Sequence, residues 1–213
     1  MNRVSELQLP TKSSNEKRRR GRSSFCLLCA TLLVLFCLAD LALSSNAQEP
    51  PQPATSVVKP RAYVSLEPIP RGKDFQVAVV VDIARGYHMN SHKPIDPYLI
   101  PTTVTPQLPP GFELVDTIYP PGRLEKFPFS PDKALDVYSG SVTLRLRLTA
   151  RPDAALGSAK IPLILRHQAC NESACLPPVK VPVEVKLDVA GTNTKSRTIH
   201  PEIFASTTSD SSK

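Results

Sequence analysis

The feature that most constrains this chain is a hydrophobic period of two. Phe75, Val77, Val79, Val81 and Ile83 alternate with Gln76, Ala78, Val80 and Asp82, and Val142, Leu144, Leu146 and Leu148 alternate with Thr143, Arg145, Arg147 and Thr149. Successive side chains of a strand point to opposite faces, so each run predicts a strand with one buried face. A second pair of candidates is the apolar run Ile161 to Leu165 and the alternation Val179, Val181, Val183, Val185, Leu187. Shorter candidates are Ala62 to Leu66, Tyr87 to Ser91, Thr102 to Thr105 and Phe112 to Tyr119, bounded by Pro, Gly or Asp. No segment carries a sustained helical apolar pattern with caps. About seven or eight strands without helices predict an all-β chain, an immunoglobulin-like antiparallel β-sandwich. Pro182, within the last strand, predicts an edge position where a missing N–H does no damage.

The sandwich occupies only part of the chain. Residues 1–47 hold a basic stretch (Lys17, Arg18, Arg19, Arg20, Arg22), an apolar run from Phe25 to Leu43 and the small-residue end Ser45-Asn46-Ala47. That is the layout of an export signal, cut after Ala47; if it is not cut, the apolar run serves as a membrane-anchor helix. Residues 48–60, rich in Pro and Gln, read as a flexible linker. The domain then spans 61–190, a size suited to one core, and the polar stretch 191–213 reads as a disordered tail. The expected location is therefore the periplasm or the exterior, with membrane attachment only through an uncleaved N-terminal segment.

Charge excludes one class of function. The formal net charge of +7 owes much to residues 1–47, which carry seven Lys or Arg against three Asp or Glu, so the rest stands at +3. With no basic patch in a recognisable module, a nucleic-acid partner is not expected. Cys26, Cys29 and Cys37 lie in the signal and read as small apolar residues. Two cysteines remain, an even number in an oxidising compartment.

Those two stand in Cys170-Asn171-Glu172-Ser173-Ala174-Cys175, followed by Leu176-Pro177-Pro178 and flanked by strand candidates on both sides. A strand, a short polar link and a second strand predict a hairpin that brings the bracketing residues side by side. Directly opposed strand residues lie about 4.5–5.5 Å apart at Cα, close enough for a disulfide. Two readings stay open. The bridge is either a permanent staple, or a dithiol/disulfide pair that a visiting thiolate can reach. A loop of six residues yields only about 2 kcal/mol of chain entropy, modest for a staple. The cysteines share one hairpin instead of bridging two sheets, and the sequence has no Trp, so the chain is not an antibody-type domain.

Several segments together resemble one family: Gly86-Tyr87-His88-Met89-Asn90-Ser91-His92, Tyr98-Leu99-Ile100-Pro101-Thr102, Tyr119-Pro120-Pro121, Val137-Tyr138-Ser139-Gly140 and His167-Gln168-Ala169-Cys170 through Cys175-Leu176-Pro177-Pro178. They are similar to the N-terminal periplasmic domain of the thiol:disulfide interchange protein DsbD, the protein-disulfide reductase. The resemblance implies a sandwich whose cysteine pair accepts electrons from a thioredoxin-like domain and passes them to thioredoxin-fold partners, disulfide isomerases or cytochrome c maturation thioredoxins. It makes Cys170 and Cys175 the redox pair, with Cys175 exchanging and Cys170 resolving. It further implies a cap loop over the pair, here from about Leu124 to Tyr138, with Phe127 and Phe129 as candidate shielding aromatics. The link between the cysteines is shorter than in the best-known members. The donor is expected to be a separate protein, since no thioredoxin-like domain follows in this sequence.

No cofactor is called for. The rival reading is an exported binding or structural module with a purely structural disulfide, and a weaker third is metal binding through His88, His92 and the thiols. His88 and His92 share a strand face that Met89 does not. His167, three residues before Cys170, falls on the opposite strand face and is a poor base for the thiol. Glu172, in the link itself, would disfavour a thiolate if close.

Overall fold

The computed structural model describes residues 53–205. The segment expected as signal or anchor lies outside them. Among the described residues no helix is long and apolar enough to cross a membrane.

A one-turn helix, Ala54–Val57, leads into fourteen strands: β1 (Val58–Val64), β2 (Leu66–Glu67), β3 (Ile69–Pro70), β4 (Lys73–Ile83), β5 (His88–Asn90), β6 (Thr103–Pro106), β7 (Phe112–Ile118), β8 (Arg123–Phe127), β9 (Ser130–Tyr138), β10 (Ser141–Ala150), β11 (Gly157–His167), β12 (Ala169–Cys170), β13 (Val179–Ala190) and β14 (Arg197–Thr198). A second turn of helix, Pro201–Phe204, follows. The strands form sheets ordered β1-β4-β10-β7, β3-β13-β11-β6 and β12-β5-β9-β8, with a small ribbon β14-β2.

The two larger sheets build the expected immunoglobulin-like sandwich, and the period of two is what fills it. In the first, Val79 faces Leu144, Val77 faces Leu146 and Phe75 faces Leu148 across β4 and β10, and Val77, Val79, Leu144, Leu146 and Leu148 are wholly buried. From the second sheet Ile161, Leu163, Leu165, Val185, Leu187 and Val189 join the same cluster. Burial of each such side chain contributes about 1.5–3 kcal/mol, while the alternating Arg147, Lys180 and Lys186 keep the outer faces wet. Pro182 pairs with Ile164 of β11, and β3 meets β13 only at Val189 and Ala190, so the proline stands on a stretch with one strand neighbour.

Four sequence expectations are corrected. The linker expected to reach residue 60 ends sooner, since β1 already begins at Val58; Val58, Pro60 and Arg61 pair with Ile83, Val81 and Val80 of β4. Part of the tail expected to be disordered is structured: Arg197 and Thr198 pair with Glu67 and Leu66, the Ile199 N–H donates to the Ser65 carbonyl at 2.9 Å, and Arg145 donates to the carbonyl of Ile203 at 2.8 Å. Polar composition hid the anchoring role of Ile199, which packs against the core. The segment expected as a loop from Leu124 to Tyr138 is the hairpin β8–β9, with Arg123 facing Val137 and Phe127 facing Ser130. Finally, the ladder of β11 with β13 ends at His167 and Val179, so the cysteines do not bracket its turn but lie on an excursion beyond it.

Candidate functional site

The excursion is shaped by what its residues can and cannot bond. After His167 the chain crosses to the third sheet, where Ala169 and Cys170 pair with Met89 and His88 of β5. Gln168 is held at the crossing: its carbonyl accepts from the Asn90 N–H at 3.4 Å, and its side-chain Oε1 from Asn90 Nδ2 at 3.3 Å. Asn171 then turns the chain, its Oδ1 accepting the N–H of Ser173 at 2.9 Å and of Ala174 at 2.8 Å, an Asx turn. The return leg is fixed by the Leu176 N–H donating to the Ala169 carbonyl at 2.8 Å. Pro177 and Pro178 have no N–H to extend this ribbon, so it stops there.

Cys170 and Cys175 face each other across the small ribbon as an antiparallel bridge. They are joined by a disulfide of 2.00 Å with Cα atoms 3.9 Å apart. The two ends are not equivalent. Cys170 is wholly buried, whereas Cys175, Glu172 and Ser173 are exposed. A nucleophile from outside therefore meets Cys175 first, and exchange depends on such access.

The turn of the β8–β9 hairpin carries the two phenylalanines. The Phe127 ring lies on the His88 imidazole with centroids 3.9 Å apart and planes at 20°. Phe129 continues the stack 5.4 Å from Phe127 and is 39% exposed. Because His88 is the cross-strand partner of Cys170, the hairpin tip rests on the residue beside the buried sulfur. His88 is itself 3% exposed, its Nε2 has no hydrogen-bond partner, and burial lowers its pKa to about 4.

The other tyrosine and histidine segments brace this platform. Tyr138 donates to the Pro120 carbonyl at 2.8 Å and accepts from the His92 N–H at 3.2 Å. His92 stacks on Tyr119 at 3.6 Å, and the Tyr119 hydroxyl accepts from the Val104 N–H at 3.0 Å. The Gly140 carbonyl, at a turn with φ of 71° that suits glycine, accepts from Ile83 at 2.7 Å and ties β9 to the sandwich. A groove of about 590 Å³ lies along Ser91, His92, Tyr119, Gly122, Asp136 and Tyr138, and neither cysteine lines it.

Of the residues that sequence reasoning named, the structure joins Cys170 to Cys175 and stacks Phe127 and Phe129 beside His88; that reasoning missed His88 as a neighbour of Cys170. It treated His88 and His92 as a pair, yet their rings lie on different aromatics, Phe127 and Tyr119. The missing signal is the pairing of β12 with β5, a contact between segments far apart in sequence. His167 is wholly buried, neither ring nitrogen has a partner, and burial lowers its pKa to about 4.

Comparison with known proteins follows the same span. No curated protein sequence matches the chain. Among solved structures, the DsbD N-terminal domain of Neisseria meningitidis in the reduced form is 19% identical, with a TM-score of 0.43 over 72% of this chain and 98% of that one. The N-terminal periplasmic domain of ScsB from Proteus mirabilis is 14% identical, with a TM-score of 0.45 over 65% of this chain and 49% of that one. A family model, thiol:disulfide interchange protein DsbD, N-terminal, matches residues 54–187. That span takes in every strand from β1 to β12 and most of β13, together with both cysteines and the hairpin above them, and on it the chain belongs to the family of DsbD N-terminal domains.

Proposed function

We propose that the domain is a thiol–disulfide exchange relay of the periplasm, passing electrons between a thioredoxin-like donor and thioredoxin-fold partners through Cys170 and Cys175. The observation that carries this reading is the asymmetry of the bridge: one exposed sulfur-bearing residue, one buried. A donor thiolate attacks Sγ of Cys175, the disulfide breaks, and its electron pair leaves on Sγ of Cys170. The donor's second thiolate then attacks the donor's own sulfur in the mixed disulfide and frees Cys175. Two electrons pass to the pair, and the donor dithiol is oxidised to a disulfide. Delivery to an acceptor runs the same steps backwards, with Cys175 exchanging and Cys170 resolving.

In this reading the β8–β9 hairpin is the cap, and Phe127 and Phe129 shield the pair until a partner lifts them. The basic and apolar order of residues 1–47 supports export, and family membership supports the periplasm as its end point. The test is trapping and redox titration. Cys170→Ala, which leaves Cys175 free, is expected to accumulate mixed disulfides with thioredoxin-fold proteins, and the wild-type pair to titrate above about −300 mV. No adduct and a potential below that value would return the pair to a permanent staple.

A further inference from the structure

We infer that His88 is the hydrogen-bond donor that receives the charge released on Cys170 when the disulfide opens. This rests on the exchange reading above and adds a residue to it. Attack at Cys175 expels Cys170 as a thiolate in a wholly buried position, where an unpartnered charge is costly. Neighbouring donors on the excursion are committed: the Asn171 N–H to Ala174, the Leu176 N–H to Ala169, Gln168 Nε2 to Leu176, and Asn90 Nδ2 to Ile100 and Gln168. His88 is not. It stands directly across from Cys170, and opposed strand residues send their side chains to the same face, within reach of one another. Its buried Nε2 bonds to nothing while the bridge is closed.

An apolar ring would lie on Phe127 without leaving a polar atom unsatisfied, so a purely structural account does not explain an imidazole here. The titratable and charged groups on the elements about it are Arg123, Glu125 and Lys126 on β8, Asp132, Lys133, Asp136 and Tyr138 on β9, Tyr87 and His92 flanking β5, His167 before β12 and Glu172 in the turn. Burial is the cause of the His88 shift, which keeps the ring neutral at ordinary pH. The neutral ring with its hydrogen on Nε2 donates to the thiolate as the S–S electron pair arrives. The proton that finally makes Cys170 a thiol is the one lost when the donor's second thiol ionises, so two protons and two electrons are transferred in all.

The experiment uses the full chain carrying Cys175→Ala and reads the ionisation of Cys170 across pH as the thiolate absorbance lost when Cys170→Ala is added, so that Cys26, Cys29 and Cys37 cancel. His88→Phe, which keeps a ring on Phe127, should raise the Cys170 pKa by about one unit, and His88→Gln, which restores an N–H, should recover part of it. In the protein that keeps both Cys170 and Cys175, reduction of their bridge by a small dithiol should slow about threefold with His88→Phe, because a leaving thiol of higher pKa leaves more slowly. Nitrogen chemical shifts of His88 in unsubstituted protein give a reading independent of variant folding: reduction should fix the tautomer with hydrogen on Nε2. An unchanged Cys170 pKa, or an imidazole whose tautomer ignores reduction, overturns the assignment. If Cys170 responds to His88 while thioredoxin-fold dithiols never exchange with the wild type, the relay fails and the His88 assignment stands.

Discussion

Asn90 and Gln168 are joined twice, amide to amide at 3.3 Å and backbone to backbone at 3.4 Å. Asn90 also gives its second amide hydrogen bond to the Ile100 carbonyl at 3.0 Å, and its carbonyl accepts from Thr102 Oγ1 at 2.6 Å. This wholly buried residue thereby stitches the cysteine excursion to β5. Asn90→Ala leaves the Ile100 carbonyl and the Gln168 amide without those bonds, and is expected to cost about 1–3 kcal/mol. Urea unfolding would show it as a lower midpoint, and reduction of the disulfide by a small thiol should quicken. A midpoint equal to wild type would remove Asn90 from this role.

Phe127→Ala tests the cover. A stacked ring pair is worth about 0.5–1.5 kcal/mol beyond burial, so losing it should raise the open population of the hairpin tip and speed reduction of Cys175 roughly two- to tenfold. Phe129→Ala, at the exposed end of the stack, should do less. Stopped-flow reduction with a monothiol measures both, and equal rates for all three proteins would show that the hairpin does not shield the bridge.

Acid should weaken the fold through His88 and His167. Burial places both pKa values at about 4 in the folded chain, below the ordinary 6.5. The unfolded chain therefore binds protons first: stability is full above pH 6.5, falls as pH drops from 6.5 to 4, and levels off below. Each group contributes a loss of about 3 kcal/mol over that window. His167→Leu should remove one share, seen as a smaller change in urea midpoint between pH 7 and pH 4.

The bridge itself should matter little to folding. Closing six residues yields about 2 kcal/mol, whereas Leu146→Ala in the wholly buried centre of β10 should cost about 2–5 kcal/mol. Thermal melts of reduced wild type and of oxidised Leu146→Ala compare the two directly. A reduced protein that fails to fold would favour the staple.

The sandwich was legible because its information is local: Val77 to Val81 and Leu144 to Leu148 announce a buried face by spacing alone. The cysteine pair was legible for the same reason, through a turn of few residues. The β8–β9 hairpin was not, because Leu124 and Phe129 sit exposed at 67% and 39% and break the alternation on which strand recognition depends. His88 was misread because its meaning comes from Cys170, more than eighty residues later, and no local pattern reports a contact between β5 and β12. The ordering of Arg197 to Phe204 was hidden likewise, since its partner is the two-residue strand Leu66–Glu67.

Cys170 is bonded into the β5 ladder, whereas Cys175 is held by the bridge and, one residue on, by the bonds of Leu176 to Ala169 and Gln168. Severing the S–S link therefore leaves each sulfur on backbone that other bonds still hold, one inside and one at the surface. Neither cysteine belongs to a ladder of the two sandwich sheets, so opening the bridge breaks none of the pairings that hold the core.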